Sequence, residues 1–202
     1  VGCFFIYWLC AILCKKENAI MKISTVQQTR ELDKRAIQNY CIPDEVLMEN
    51  AGLAAISVLK SEIDLHRNNN ILIFCGSGNN GGDGFVVTRQ LSSLGCNVSV
   101  ILMAEPDRYQ GAAQKNYQIV SHLELSCEYV ADIDVIRSRL VEADLVVDAI
   151  FGTGLTRDVE GHYASVIQAI NQSGLPVLSL DIPSGVNGDT GQIMGTAIQA
   201  KW

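Results

Sequence analysis

Ile71-Leu-Ile-Phe-Cys75, running straight into Gly76-Ser-Gly78-Asn-Asn-Gly81-Gly-Asp-Gly84, is the stretch on which the fold turns. All five residues of the run are apolar, so neither face of that strand is meant for water; a half-wetted strand would alternate. Outward from it, short β-branched-rich runs at 98–102, 145–150 and 177–180, and a weaker one at 127–130, repeat the pattern. Helix-length patterns at 84–94, 110–123, 133–141 and 163–171 lie between them. Strands apolar on both faces, alternating with helices, predict an α/β fold: three layers, α/β/α, with a mostly parallel sheet and helices on both faces. Right-handed crossovers put every strand's carboxyl end along one edge, where such sheets bind ligands. Eleven of the seventeen glycines fall between 76 and 84, 152 and 161, and 185 and 191, each group just after a predicted strand. Three glycine-rich loops on one edge read as a single ligand site.

Upstream, Ser24-Thr-Val-Gln27 reads as a capping box opening a helix to about Tyr40, and Pro43-Asp44 opens a second to about Lys60. Residues 1–20 do not fit the pattern. The first fourteen are nearly all apolar, too few to span a bilayer, and lack the basic start and small-residue cleavage site of a secretory signal. They read as upstream sequence or a targeting remnant outside the fold, with the domain expected from 21 to 202. A cytoplasmic location is expected, with an organellar or secretory leader left open by residues 1–20. The net charge of −7, without a run of Lys and Arg, argues against a nucleic-acid or membrane surface. Cys41, Cys75, Cys96 and Cys127 have no metal-ligand spacing, and the three His are scattered. Buried free thiols are the simplest reading.

Gly76-Ser-Gly78-Asn-Asn-Gly81 matches the dinucleotide fingerprint, but Asp83 then falls where the following helix is expected to begin. A carboxylate there would repel a pyrophosphate. It caps the helix, or else Asn79, Asn80 and Asp83 together ligate a cation or a sugar hydroxyl. Asp148 stands inside an apolar strand, a costly position unless paired, hydrogen-bonded or bound to metal. Gly152-Thr-Gly154 can offer backbone N–H groups to phosphate. Arg157 supplies a bidentate grip or is a solvated loop charge. Asp181, ahead of Ile-Pro-Ser184-Gly185, repeats the strand-end arrangement and is a turn former, a cap or a catalytic group.

Together, Leu47-Met-Glu-Asn-Ala-Gly52, Gly76-Ser-Gly-Asn-Asn-Gly-Gly-Asp-Gly84, Asp148-Ala-Ile-Phe-Gly-Thr-Gly154 and Asp181-Ile-Pro-Ser-Gly185 closely resemble the NAD(P)H-hydrate epimerase family, the YjeF N-terminal domain. The resemblance implies a Rossmann-like fold and epimerisation of hydrated NADH and NADPH at C6 of the nicotinamide ring, a metabolite-repair isomerisation. It implies that Asn79, Asn80, Gly81, Gly82 and Asp83 line the hydrated cofactor with Gly152, Thr153, Gly154, Leu155, Thr156, Arg157 and Asp158. Asp181 contacts it as the catalytic acid and base. Asn80, Asp148 and Ser184 resemble the ligands of a potassium ion, and Asn50 is expected near the site. The same resemblance implies a homodimer, a fused or separate dehydratase partner, and a domain truncated at its C-terminus. Two rival functions fit parts of the chain. One is nucleotide-dependent hydride transfer on the glycine loop. The other is a non-catalytic scaffold of the same family, which loss of the strand-end aspartates would mark.

Overall fold

The computed structural model describes residues 24–66 and 69–202, so residues 1–20, and Met21 after them, lie outside the described residues. Helices α1 (Val26–Tyr40) and α2 (Asp44–Glu62) precede strand β1 (Asn70–Cys75). Then come α3 (Asn79–Ser93), β2 (Asn97–Leu102), α4 (Gly111–His122), β3 (Ser126–Tyr129), α5 (Ile133–Val141), β4 (Leu145–Ala149), α6 (Gly161–Ser173) and β5 (Val177–Ser179). All five strands run parallel, in the order β3-β2-β1-β4-β5.

The unbroken apolar strands are explained by what covers them. Ile71, Ile73, Val100 and Val147 face a core shared with α2, α3 and α4, while Leu72, Phe74, Ile101 and Val146 face one shared with α5 and α6. Strands β1, β2, β4 and β5 thus each feed two hydrophobic layers, which is the three-layer architecture the sequence predicts, while β3 at the sheet's edge has no buried residue.

Two helix starts differ from expectation. The capping box is Thr25 with Gln28, one residue later than Ser24 with Gln27. The shift has a tertiary cause, because the Val26 N–H is already held by the Asp189 carboxylate at 2.8 Å. Helix α3 begins at Asn79 behind a Gly78 cap, five residues ahead of the expected start at Gly84. Asp83 is therefore one turn inside the helix and caps nothing.

The end of the chain lies along the outer edge of β5. Ser179 N–H donates to the Trp202 carbonyl at 2.9 Å, and Lys201 N–H donates to that of Val177 at 2.9 Å. Trp202 also donates its indole N–H to Glu62 of α2 at 3.0 Å. Cys41, Cys75, Cys96 and Cys127 are all free thiols. No helix among the described residues is long and apolar enough to cross a membrane.

Candidate active site

The chain winds outward from β1 to β3, then returns to the other side of β1 to lay down β4 and β5. The crevice between the carboxyl ends of β1 and β4 is therefore the switch point, where open α/β sheets take their ligands. The loops after these strands meet there at van der Waals limits. A Cβ on Gly76 would overlap the carbonyl oxygen of Ile150, and one on Gly81 would overlap that of Gly76. The first and third glycines of the fingerprint are thus required by backbone approach, whereas a Cβ on Gly78, the second, would meet nothing.

Helix α3 opens at this crevice with no side-chain cap, so its leading N–H groups remain available to a ligand. The repulsion expected of Asp83 at a helix start loses its basis. Asn80 is only 7% exposed, and neither its amide nitrogen nor its amide oxygen has a hydrogen-bond partner. Such a group costs about 1–3 kcal/mol unless something completes it. One turn on, Asp83 is 3% exposed. Burial first, then the carboxylates of Asp181 and Asp33, push its carboxyl up to about 7. Asp33 itself is pushed upward, by burial and by Asp181. Three carboxyls from α1, α3 and the loop after β5 thus sense one another. Asp33 was missed in the sequence because nothing near it resembles a motif.

Asp148, completely buried at the end of β4, is the most heavily bonded of the acids. Its Oδ1 accepts from Ser184 Oγ at 2.5 Å and Ile150 N at 3.2 Å; its Oδ2 accepts from Ser179 Oγ at 2.7 Å and Ser184 N at 2.9 Å. Burial pushes its carboxyl up against the pull of those four bonds. Ser184 Oγ also accepts from Phe151 N at 2.8 Å. Asp148 and Ser184 therefore lock the loop after β4 to the loop after β5.

Asp181 differs in kind. It is exposed, its backbone holds φ at 63°, and its Oδ2 accepts from Thr153 N at 2.8 Å. A left-handed residue other than glycine carries strain, which Asp tolerates better than most, and such strain collects at working positions. The bond ties it to the glycine loop, and a Cβ on Gly152 would overlap its carboxylate. Asp181 sits in a bend with no helix after it, so it caps none.

Of the rest of that loop, Leu155 closes a turn onto Gly152 at 3.2 Å, while Gly154, Thr156, Arg157 and Asp158 are exposed. Arg157 is near enough to Tyr163 for its charge to act on that phenol. The motif in α2 has a packing role. Met48 lies where a side chain on Gly82 would stand, and Val86 lies where one on Gly52 would stand. Glu49 holds Arg89 at 2.6 Å and Gln90 at 2.8 Å, both on α3. Asn50, expected near the site, is exposed to solvent.

A parallel α/β sheet with a bare helix end and strand-end carboxylates at its switch point defines a domain of the Rossmann-like α/β class. The model of the family described as YjeF-related protein N-terminus matches residues 44–202, and the chain belongs to that family. It is 44% identical over 184 residues to the bifunctional NAD(P)H-hydrate repair enzyme Nnr of Thermofilum pendens, covering 90% of this chain and 35% of that one. It is 40% identical over 177 residues to the NAD(P)H-hydrate epimerase of Lentilactobacillus buchneri, covering 87% and 79%. The chain thus spans about a third of the length of the bifunctional relative. The crystal structure of the yeast protein YNL200c superposes with a TM-score of 0.76 at 24% identity, covering 89% of this chain and 78% of that one. That likeness bears on the fold alone.

Proposed function

We propose that this chain interconverts the R and S forms of hydrated NADH and NADPH at C6 of the nicotinamide ring. The observation that carries the reading is Asp181, a strained strand-end carboxylate held by the Thr153 N–H in the loop after β4, and felt by Asp83 one turn on from the unsatisfied amide of Asn80. The names of the relatives agree with an isomerase acting on this ligand. In the hydrate, C6 bears a hydroxyl and is bonded to the ring nitrogen. The nitrogen lone pair forms a C=N bond as the C6–O bond breaks, and protonated Asp181 gives the departing oxygen its proton. Water then adds to C6 from the opposite face, electrons return to nitrogen, and the Asp181 carboxylate takes the proton back. Asp83, pushed up to about 7, retains a share of a proton at neutral pH and limits the negative charge the ligand meets.

Potassium belongs to the same reading, with Asn80, Asp148 and Ser184 as the residues that would hold it. The buried, unpartnered amide oxygen of Asn80 is what a hard cation's ligand set requires. Each Asp148 oxygen already accepts two bonds, so an ion there has to replace at least one. When bound, the ion supplies positive charge that offsets the diphosphate and steadies the loops. A homodimer and a dehydratase partner complete the proposal, the latter supported by the bifunctional relatives.

The test feeds the pure R-hydrate to the purified chain and follows the S form by chromatography. Asp181→Asn should slow conversion by 10²–10⁴-fold, the usual contribution of an acid/base group, with an unchanged circular dichroism spectrum. No conversion by the wild-type chain, or a mutant rate within about threefold of wild type, well inside that range, refutes the reading.

A further inference from the structure

Helix α1 lies outside the residues matched by the family model, yet it leans on the site. Val26, Arg30 and Asp33 fall at i, i+4 and i+7, one stripe of the helix. Val26 sets that stripe in place: its N–H is held by Asp189, and its side chain fills the space a Cβ on Gly188 would need. One turn on, Arg30 Nη2 reaches the carbonyl of Thr153 at 3.5 Å, and it is 3.8 Å from where a Cβ on Gly154 would stand. Farther along the stripe, Asp33 senses Asp181.

From this placement we infer that Arg30 is a binding residue for the anionic diphosphate of the ligand, an inference that rests on the function proposed above. The guanidinium has five N–H donors. Here its hydrogen bond, at 3.5 Å, is at the long limit of such contacts. Among the described residues it forms no ion pair. It stands beside the Gly152-Thr-Gly154 loop, the stretch tied to Asp181 through the Thr153 N–H, so its donors lie next to the proposed site. The surroundings need a cation. Asp33 and Asp181, with Asp83 only part-ionised beside them, gather here in a chain of net charge −7, and a dianionic diphosphate entering among them is opposed unless positive charge meets it. The α3 terminus offers about half a charge; Arg30 offers a whole one in the planar fork that suits phosphate oxygens. Arg157, the arginine that motif matching selects, lies instead within reach of Tyr163.

The test compares wild type, Arg30→Gln and Arg30→Lys as the full chain, each first shown to melt at the wild-type temperature. Inorganic pyrophosphate is titrated against each by calorimetry, and epimerisation is measured on the dinucleotide hydrate and on the hydrate of reduced nicotinamide riboside, which has no phosphate. Arg30→Gln should weaken pyrophosphate binding and raise KM for the dinucleotide by about tenfold, the worth of a charge-assisted contact. Its kcat should fall less than about threefold, a loss smaller than that tenfold change in binding. The riboside should be handled equally by both proteins, Arg30→Lys should regain part of the loss, and added salt should narrow the gap. Equal pyrophosphate affinity in wild type and Arg30→Gln overturns the inference, as does an equal KM change on both substrates. Pyrophosphate binding that depends on Arg30, in a chain that converts neither hydrate, sustains the anion site while removing the epimerase reading.

Discussion

Replacing Asp148 with alanine takes the acceptor away from four donors at once. They do not suffer equally. Ser179 is half-buried and can turn its hydroxyl to water, and Ser184 can turn its own to the Phe151 carbonyl, 3.0 Å away. The N–H groups of Ile150 and Ser184 cannot turn, and both residues are buried. Each orphaned N–H costs about 1–3 kcal/mol, so Asp148→Ala should lose about 2–6 kcal/mol. That is a large share of the 5–15 kcal/mol that typically holds a domain together. For a domain of this size each kcal/mol is worth about 2–4 °C, which places the melting temperature roughly 4–24 °C lower. Thermal melts by circular dichroism at neutral pH measure it directly. Ser184→Ala should lose less, because its backbone N–H keeps Asp148 Oδ2. The double mutant should fall short of the sum, since the two residues share one network. A melting temperature for Asp148→Ala within about 2 °C of wild type, below even one lost bond, refutes the view that this acid locks the two loops.

The Asp83 carboxyl, raised from 3.8 to about 7, holds in the folded state a proton that the unfolded chain gives up. Its stabilising effect is full below about pH 4 and is lost as pH rises through about 7, up to about 4 kcal/mol in all; Asp83→Asn should match wild type at pH 4 and out-melt it at pH 8, and a gap independent of pH contradicts the assignment. Gly81→Ala drives a Cβ into the Gly76 carbonyl and should cost about 3 kcal/mol or more, read as a lower denaturant midpoint; an unchanged midpoint shows the approach to be slack. Potassium should raise the melting temperature more than equimolar lithium, and Asn80→Ala or Asp148→Ala should erase the difference; identical curves in both salts count against a cation at these residues.

Strands β1, β2, β4 and β5 were legible to within a residue, because burial on both faces leaves an apolar run, whereas β3, Ser-Cys-Glu-Tyr at the sheet's edge with no buried residue, left only a weak signal. Helix α3 was not, since Asn-Asn-Gly-Gly-Asp-Gly has poor helix propensity and winds only because Met48, Ala149 and Cys75 close around it. Asp148 and Asp181 could be picked out as strand-end acids. Their division of labour could not, since it depends on whether a partner such as Ser179 or Thr153 lies opposite, and neither partner has a sequence signal. Arg30 and Asp33 were invisible for the same reason. They read as ordinary charges on an amphipathic helix until that helix is seen resting on the loops.

The first turn of α3 also has a consequence for how the molecule assembles. Gly81, Gly82 and Gly84 together forfeit about 3 kcal/mol of helix propensity relative to alanine. This end of the helix therefore cannot nucleate itself. Winding must start in the better helix formers from Phe85 to Ser93 and run backward, reaching Asn79 only when β1, β4 and α2 already enclose the space. The ligand surface is in that sense a late product of folding, and its amide hydrogens should exchange through a smaller opening than those of the sheet beneath. A bound ligand would close that opening, so protection gained by residues 79–84 would trace occupancy of the crevice from within the backbone itself.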